Sequence, residues 1–343
     1  MKYSVLFSLS IVLLMSSCES QRSPQVESAD VQMIQGEAQG TTYAIKYTGD
    51  KQVEKAQIDS ILDQIDLSMS AWVDESVLSE FNREDSVVIS DDHFLTVFFR
   101  GKEIHDLTGG AFHPMIMPLV RAWGFGPEGG QLKENANLDS LMAFANYDFE
   151  INPNDDEQSI LFVKQNGYQI DVNGVAQGYS VDVVSEFLER EGVKNYMVEI
   201  GGEVRAKGKN ESGEYWRIGV DKPSSTAENR QLEAIVTLED AALATSGSYR
   251  KFYEKDGRKY SHTIDPTTGE PVNHNLLSAT VLSSNATNAD AFATAFMVLG
   301  MEGTKGFMAD HPEMNLEVFL IYDENGEVKT YASEGLKDVI ENL

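Results

Sequence analysis

Apolar positions recur along this chain at two different spacings. Over residues 52–69 they fall three or four positions apart, which predicts a helix with one buried face, whereas over residues 42–47 they alternate with polar residues, which predicts a strand. The same two patterns predict further elements. Helices are expected over residues 91–109, 175–191 and 287–299. Strands are expected over residues 160–163, 168–172, 196–200, 203–207, 215–220, 232–238, 259–264 and 276–282.

Turn and capping residues mark several ends of these elements. Asp91 can cap the second helix, and Gly192 and Gly300 are expected to end the helices that precede them. The pair Asn166-Gly167 lies between two predicted strands and predicts a hairpin. Strands and helices are mixed, with hairpins instead of a regular βαβ alternation, which predicts the α+β class. Residues 34–343 contain no repeat and no low-complexity linker, so we expect a single body.

The first residues predict export and lipid attachment. Residues 5–15 form an apolar run that is too short to cross a bilayer as a helix, and small residues follow it, as in a secretory signal. The end of this run resembles a bacterial lipobox in which Cys18 becomes the lipidated first residue; a plain signal peptide with a chance cysteine is the alternative. We therefore expect a signal peptide over 1–17 and a flexible tether over 18–33. The lipid would hold the body, 34–343, at the periplasmic side of the bacterial envelope, on the inner membrane in preference to the outer.

Charge and cysteine content exclude several classes of function. The chain has 27 Lys and Arg against 55 Asp and Glu, a net charge of -28. Such a chain repels a phosphate backbone, which excludes general nucleic-acid binding. With Cys18 as the single cysteine, there is no intramolecular disulfide and no zinc site built on two thiolates. An anionic ligand would need a metal ion, backbone N–H groups or a helix N-terminus to offset the repulsion.

One predicted helix carries a carboxylate in an apolar setting. Asp290 and Thr294 are four residues apart, so they lie one above the other on a helix that is otherwise almost wholly apolar. A carboxylate buried there is costly unless it is paired or binds a metal. Carboxylate and hydroxyl oxygens suit Mg²⁺ or Ca²⁺. The alternative is that Asp290 caps the first turn and Thr294 bonds back to a carbonyl.

Two glycine-containing turns can also carry chemistry. After Asp171, Gly174 would allow a ligand to approach the backbone closely where a helix begins, and a helix N-terminus favours phosphate. A purely structural strand-to-helix turn is the alternative. His262 lies beside an Asp-Pro-x-x-Gly turn and could act as a general base; the alternative is a histidine packed on a sheet.

A third segment is rich in glycine, proline and aromatic residues. It runs over residues 108–126 and includes Ala111, Phe112 and His113, and Trp72 adds an aromatic in another loop. Irregular walls of this kind often line sites for planar ligands. They are as often simple loop packing, so this segment alone leaves both interpretations open.

Taken together, these segments resemble the FAD:protein FMN transferase family, once called thiamine-biosynthesis lipoproteins. They occur in the order of the family, cover about residues 36–302, and are specific as a set although none is specific alone. The lipoprotein signal is similar as well. The matching segments are QGTTYAIKY, SAWVDESVLSEFN, TGGAFHPMIMPLVRAWGFGP, IDVNGVAQGYSVDVV, VEIGGEVRAKG, ATSGSYR, YSHTIDPTTGEPV and ATNADAFATAFMVLG.

The resemblance implies a fold and a set of site residues. The implied fold is a single α+β body resembling two tunnelling-fold-like halves, with FAD in the cleft between them and Mg²⁺, or alternatively Mn²⁺, at its pyrophosphate. By motif position, Asp290 and Thr294 are the implied side-chain metal ligands and the Gly174 carbonyl is the backbone ligand. His262 stands at the position of a proposed catalytic histidine. The positions implied to contact FAD are Gln39, Trp72, Ala111, Phe112, His113, Asp171, Gln177 and Ile264.

Four positions depart from the pattern of the family. Gln39 replaces a usual Met, His113 a usual Asp, and Gln177 a usual Lys or Glu. Ala293 stands where some members have a second Asp in the metal helix, so water or a phosphate oxygen would complete the coordination of the cation.

The resemblance also implies a reaction. A Thr or Ser hydroxyl of an acceptor protein attacks the FMN phosphorus of FAD in a Mg²⁺-dependent step, AMP leaves, and FMN stays joined to the acceptor. The acceptor is expected to be an exported or membrane-bound redox protein. Three alternatives remain: an FAD pyrophosphatase, in which water replaces the hydroxyl and FMN and AMP are released; a non-catalytic FAD-binding lipoprotein; and a solute-binding lipoprotein for another ligand.

Overall fold

The computed structural model describes residues 30–130, 136–154, 158–165, 167–223, 231–248, 252–255 and 258–343. The predicted signal peptide, Cys18 and most of the expected tether lie outside these residues. Residues 31–33, which we expected in the tether, instead begin the first strand of the body. Within the described part of the chain, none of the helices combines the length and hydrophobicity needed to cross a lipid bilayer.

The elements follow one another in a mixed order. The helices are α1 (Lys55–Met69), α2 (Val77–Arg83), α3 (Asp92–Leu107), α4 (Met117–Ala122), α5 (Leu138–Met142), α6 (Ala176–Arg190) and α7 (Ala286–Asp310). The first strands are β1 (Val31–Ala38), β2 (Thr41–Thr48), β3 (Ser86–Ile89), β4 (Glu150–Pro153), β5 (Ile160–Val163), β6 (Asn195–Ile200), β7 (Glu203–Lys207) and β8 (Trp216–Asp221). The later strands are β9 (Leu232–Leu238), β10 (Ala241–Gly247), β11 (Phe252–Lys255), β12 (Arg258–Ser261), β13 (Leu276–Ser283), β14 (Glu317–Glu324), β15 (Glu327–Ala332) and β16 (Ile340–Asn342).

An antiparallel sheet of eight strands organises the body, in the order β1-β2-β6-β7-β10-β13-β14-β15. Each half of this sheet has the same plan, in which a long helix separates two strand pairs along the chain. In the first half α6 lies between β1-β2 and β6-β7, and in the second half α7 lies between β10-β13 and β14-β15. The expected single α+β body with two related halves is confirmed.

The two long helices pack side by side on one face of the sheet. The helix α6 covers β6 and β7, and α7 covers β10 and β13. On the other face, the small sheet β16-β9-β8 closes a second apolar layer, in which Val204 and Leu243 of the central strands pack against Trp216 and Val236. The central sheet is thus buried on both faces around the junction of its halves, which fixes the bases of α6 and α7 there.

One predicted strand is wrong. Residues 168–172 do not form a strand, and β5 pairs with β3 and with the preceding β4 instead of with these residues, so the predicted hairpin is wrong. The side chain of buried Asn82 takes the place of a neighbouring strand: its amide donates to the Ile170 carbonyl at 2.9 Å and its oxygen accepts from the Ile170 N–H at 2.6 Å. The apolar alternation of this segment therefore reflects burial without a β-ladder.

Two further predictions need correction at their ends. Gly300 has φ +67 and ends the first helical segment of α7 as expected, but a second helical segment follows directly and reaches Asp310. The expected strand over 259–264 ends at Ser261, and Ile264 makes only an isolated bridge with Pro271. The helices predicted over 52–69, 91–109 and 175–191, and the strands predicted over 42–47, 196–200, 203–207, 215–220, 232–238 and 276–282, are confirmed within a few residues at each end.

The helices α6 and α7 approach each other most closely at Gly178. A Cβ atom there would lie 2.3 Å from the Ala286 carbonyl oxygen and 2.8 Å from the Cβ of Asp290. Asp182, one turn further along α6, binds the start of α7 by accepting hydrogen bonds from the N–H groups of Ala286 and Thr287 at 3.0 and 2.8 Å. The half-buried Arg205 guanidinium pairs with the same carboxylate at 3.0 Å.

We expect Gly178→Ala to destabilise the protein by ~1–3 kcal/mol, because backbone atoms of α7 would have to move to admit one methyl group. The matched control is Gly306→Ala, also in a helix, where an added Cβ meets nothing within 4 Å. The control should be neutral or stabilising by ~0.5–1 kcal/mol, since alanine favours the helix over glycine. Urea unfolding midpoints measure both effects, and equal midpoints for the two variants would contradict the close packing described above.

Candidate active site

A cleft of about 270 Å³ opens where the two halves meet. Its walls come from the start of α6, the first half of α7, the end of β10 and the loops after α3 and β12. The expected site residues that line it are Ala111, Phe112, His113, Asp171, Gly174, Gln177, His262, Ile264, Asp290 and Thr294. Residues separated by up to 183 positions in the chain are thus gathered around one cleft.

Two expected FAD contacts lie outside the cleft wall. Gln39 sits in the β1–β2 turn at φ +53, and its amide nitrogen donates to the Ser180 hydroxyl at 2.7 Å. Trp72 follows α1 and is 60% exposed, on a loop held by the Ser76 hydroxyl, which donates to the Ser70 carbonyl at 2.7 Å. Contact of these two side chains with FAD stays a prediction.

Asp290 is the buried acid of the cleft. It is 5% exposed, and its Oδ2 accepts a hydrogen bond from the Gly178 N–H at 3.1 Å. Burial raises the pKa of Asp290 to about 7, although the Gly178 hydrogen bond opposes this rise. Capping of α7 is done by Asn285, whose side chain accepts from the Asn288 N–H at 2.8 Å, so the alternative that Asp290 is the cap is wrong.

Thr294 lies one turn beyond Asp290 and meets the backbone of Gly174. A Cβ at Gly174 would be 2.9 Å from the Thr294 Oγ1, so only glycine allows this approach without a shift. The hydroxyl also lies 3.2 Å from the Ser246 Oγ at the end of β10. The three expected ligand residues therefore occupy one region of the cleft.

The loop before α6 is shaped by its own polar groups. The Asp171 N–H donates to the Pro114 carbonyl at 2.7 Å, and its Oδ1 accepts from the Asn173 N–H at 2.8 Å. The N-cap of α6 is Val175, which offers no side-chain acceptor to the first turn. The N-terminus of a 15-residue helix thus faces the cleft without a side-chain cap, a setting that favours an anion.

His113 and His262 belong to different walls. His113 is 9% exposed, and burial together with the neighbouring His105 lowers the pKa of His113 to about 4, so it is neutral at physiological pH. His262 is half-buried in the loop after β12, with its ring centroid 6.4 Å from that of Phe125. The Trp123 indole N–H donates to the Gly269 carbonyl at 2.7 Å and holds the turn after His262 against the aromatic segment.

Sequence reasoning missed several residues of the cleft. Asn173, Glu203 and the run Thr245–Gly247 line it, although none was singled out. The segment ATSGSYR was matched to the family only as a whole. Its small polar residues at the end of β10 are the signal that could have singled out Thr245–Gly247. Within the described residues, no group of three or more His, Cys, Asp or Glu side chains is gathered as a metal site. Any cation here would depend on hydroxyl and backbone oxygens beside a carboxylate.

Comparison with known proteins gives the same family as the motifs. The model of the ApbE family matches residues 39–320. The chain is 36% identical over 344 residues to the FAD:protein FMN transferase of Vibrio cholerae, with 97% of each chain covered. It is 31% identical to the protein of that name from Escherichia coli, with 97% of this chain and 96% of the relative covered.

Solved structures agree in fold. The flavin transferase ApbE from Vibrio cholerae superposes with a TM-score of 0.78 at 35% identity, covering 91% of this chain and 99% of the other. The ApbE protein from Thermotoga maritima superposes with a TM-score of 0.76 at 27% identity, covering 90% of this chain and 99% of the other. The family model and these relatives confirm the resemblance seen in the motifs: the chain belongs to the ApbE family, in which the Vibrio cholerae and Escherichia coli relatives are named FAD:protein FMN transferase.

Proposed function

We propose that this chain transfers the FMN part of FAD to a Thr or Ser hydroxyl of an acceptor protein with the help of Mg²⁺, and releases AMP. The observation that carries the proposal is the buried Asp290 carboxylate in the cleft, beside Thr294 and the glycine backbone at Gly174. A carboxylate at 5% exposure that accepts a hydrogen bond from a backbone N–H is still costly unless a cation or a proton neutralises its charge.

The residues present fit a small hard cation. Asp290, Thr294 and the carbonyl of Gly174 would hold it, and all three offer the oxygen atoms that Mg²⁺ prefers. With a single carboxylate in this set, the remaining positions fall to water or to phosphate oxygens. When bound, the cation offsets the charge of the pyrophosphate and polarises the FMN phosphorus. Mn²⁺ has the same ligand preference and is the alternative.

Transfer exchanges one phosphorus–oxygen bond for another. The acceptor hydroxyl oxygen forms a bond to the FMN phosphorus, and the bond from that phosphorus to the bridging oxygen breaks, so AMP departs with the bridging oxygen. The uncapped N-terminus of α6 can hold phosphate oxygens through its N–H groups. The chain's contribution is mainly to position the reacting groups and to stabilise charge.

His262 is proposed to take the proton of the attacking hydroxyl. It lines the cleft from the loop after β12, and imidazole is the side chain that most readily takes up a proton near neutral pH, as a general base must. The proton then passes to solvent or to the departing AMP phosphate.

The proposal extends to location and partner. The lipobox at Cys18 supports anchoring on the periplasmic side of the bacterial envelope, with the inner membrane favoured. There the chain would meet exported or membrane-bound redox proteins as acceptors. The segment before β1 would act as the tether that lets the body reach them.

Mass spectrometry of a co-expressed acceptor tests the proposal. Thr-containing fragments of exported redox proteins from the same organism are incubated with the chain, FAD and MgCl₂. We expect one fragment to gain the mass of FMN less one water, with one AMP released per fragment. Asp290→Asn should lower the rate at least about 100-fold, since it removes the charged ligand.

The matched control is Asp310→Asn, the same change at the exposed end of the same helix, which should transfer at the wild-type rate. AMP release that does not depend on any acceptor, with free FMN as the other product, would favour the pyrophosphatase. Flavin that co-purifies without AMP release would favour a binding protein. Wild-type transfer by Asp290→Asn in Mg²⁺ would remove the metal assignment.

The raised pKa of Asp290 predicts a pH-dependent stability in the absence of divalent cations. The unfolded carboxyl titrates near pH ~3.9, whereas the native group titrates at about 7. Between these values the native state binds more protons, so stability falls as the pH rises through this window. Asp290→Asn has no carboxyl to ionise in the buried site. Its free energy of unfolding should therefore exceed that of the wild type at pH 8 by on the order of 3 kcal/mol, and this difference should shrink toward pH 4.

Addition of MgCl₂ at pH 8 should raise the unfolding midpoint of the wild type and leave that of Asp290→Asn in place. Urea titrations at pH 4 and pH 8, with and without MgCl₂, measure both effects. A stability gap that is the same at both pH values would show that the carboxyl of Asp290 titrates normally.

His262→Gln should lower the rate of transfer about 100-fold while the dissociation constant of FAD stays within about two-fold of wild type. The reason is that a general base acts on the acceptor hydroxyl and not on bound FAD. His311→Gln is the control, because His311 ends α7 outside the cleft lining. Single-turnover transfer and fluorescence titration of FAD separate rate from binding. Equal losses in both would assign His262 to binding.

A further inference from the structure

His105 lies behind the wall of the cleft and does not line it. It belongs to the last turn of α3, just before the loop that carries Ala111, Phe112 and His113 into the cleft. That loop reverses direction through Gly109 and Gly110, which have φ values of +60 and +90. The reversal folds the loop back over the side chain of His105.

Three contacts tie His105 to this loop. Its carbonyl accepts from the Gly110 N–H at 2.9 Å, and its ring lies against Gly110, where an added Cβ would be in ordinary contact with the imidazole Cε1 at 3.4 Å. Its Nδ1 lies 3.2 Å from the Phe112 carbonyl oxygen. Since a carbonyl only accepts, Nδ1 carries the hydrogen and donates it. Burial lowers the pKa of His105, which agrees with a neutral ring.

His105 also contacts His113 directly. The two ring centroids are 4.3 Å apart at an angle of 72°, an edge-to-face arrangement. Tyr147 lies nearly parallel to His113 on another side, with centroids 6.0 Å apart and an angle of 11°. The Lys102 ammonium lies 5.3 Å from the centre of the Tyr147 ring and pairs with Asp106 at 2.8 Å. The His105 and Tyr147 centroids are themselves 5.2 Å apart, so the three rings pack as one cluster.

We infer that His105 is a positioning residue for FAD, which fixes the wall formed by Phe112 and His113 through its Nδ1–H hydrogen bond and its ring contact. The inference rests on the proposed function, because it concerns the same cleft. His105 itself touches no substrate; it acts through the two residues that do line the site.

The loop has other supports, so loss of the imidazole should shift the wall without unfolding it. The Thr108 hydroxyl donates to the Ile104 carbonyl at 2.7 Å and accepts from the Phe112 N–H at 3.0 Å. The helix α3 is anchored separately by buried Phe94, Phe98 and Ile104. Among the described residues, His105 supplies the hydrogen-bond partner of the Phe112 carbonyl and the edge-to-face contact to His113.

Fluorescence titration of FAD in MgCl₂ with three variants of the full chain tests the inference. His105→Leu should weaken FAD binding about ten-fold, as expected for loss of one partly buried hydrogen bond and its positioning effect. His105→Asn should restore binding to within about three-fold of wild type, since its amide nitrogen can take the place of Nδ1. The rate of transfer at saturating FAD should change less than about three-fold in both.

His93→Leu is the matched control. His93 lies at the other end of α3, with its Nδ1 2.8 Å from the Tyr179 hydroxyl and its ring edge-to-face with Tyr179 at 5.7 Å. The His93→Leu variant should lose about as much stability as the His105→Leu variant, and it should bind FAD like the wild type. Normal binding by His105→Leu, or equal loss in His105→Leu, His105→Asn and His93→Leu, would overturn the inference and leave the proposed function standing. A wild-type chain that binds no FAD would overturn both.

Discussion

The close packing of α6 on α7 at Gly178 is the constraint on which the site depends. The absence of a side chain lets the two helices touch through backbone, and the amide of the same glycine then reaches the Asp290 carboxylate at 3.1 Å. One residue therefore sets both the distance between the helices and the position of the acid. Asp182 and Arg205 secure the same junction one turn further along.

This junction lies above the point where the two halves of the sheet meet, which explains why the cleft forms there. Each half brings one long helix, and each helix contributes the part of itself nearest the junction: the first turn of α6 and the first half of α7. The cleft receives a helix N-terminus from one half and a buried acid from the other. Neither half contains both.

The sequence predicted most of the elements and most of the cleft, and the exceptions have physical causes. Residues 168–172 alternate like a strand because they are buried, yet their partner is the side chain of Asn82, a contact 88 residues away that periodicity does not reveal. The two halves were expected only from the family resemblance, and the hydrophobic pattern did not reveal their repeated plan, because the chain between β2 and α6 is much longer than that between β13 and α7. His105 escaped notice because its role depends on the reversal at Gly109 and Gly110.

The ladder that joins the halves is the shortest within the large sheet. Strands β7 and β10 pair at three positions, from Ala241 with Ala206 to Leu243 with Val204, whereas β1 and β2 pair at eight. With only three rungs, strand pairing joins the halves less extensively than it joins the strands within each half, so the contacts of Asp182 with α7 and with Arg205 carry more of the junction. The cleft thus opens at a seam where helix packing and the contacts of one buried carboxylate supplement a short strand ladder.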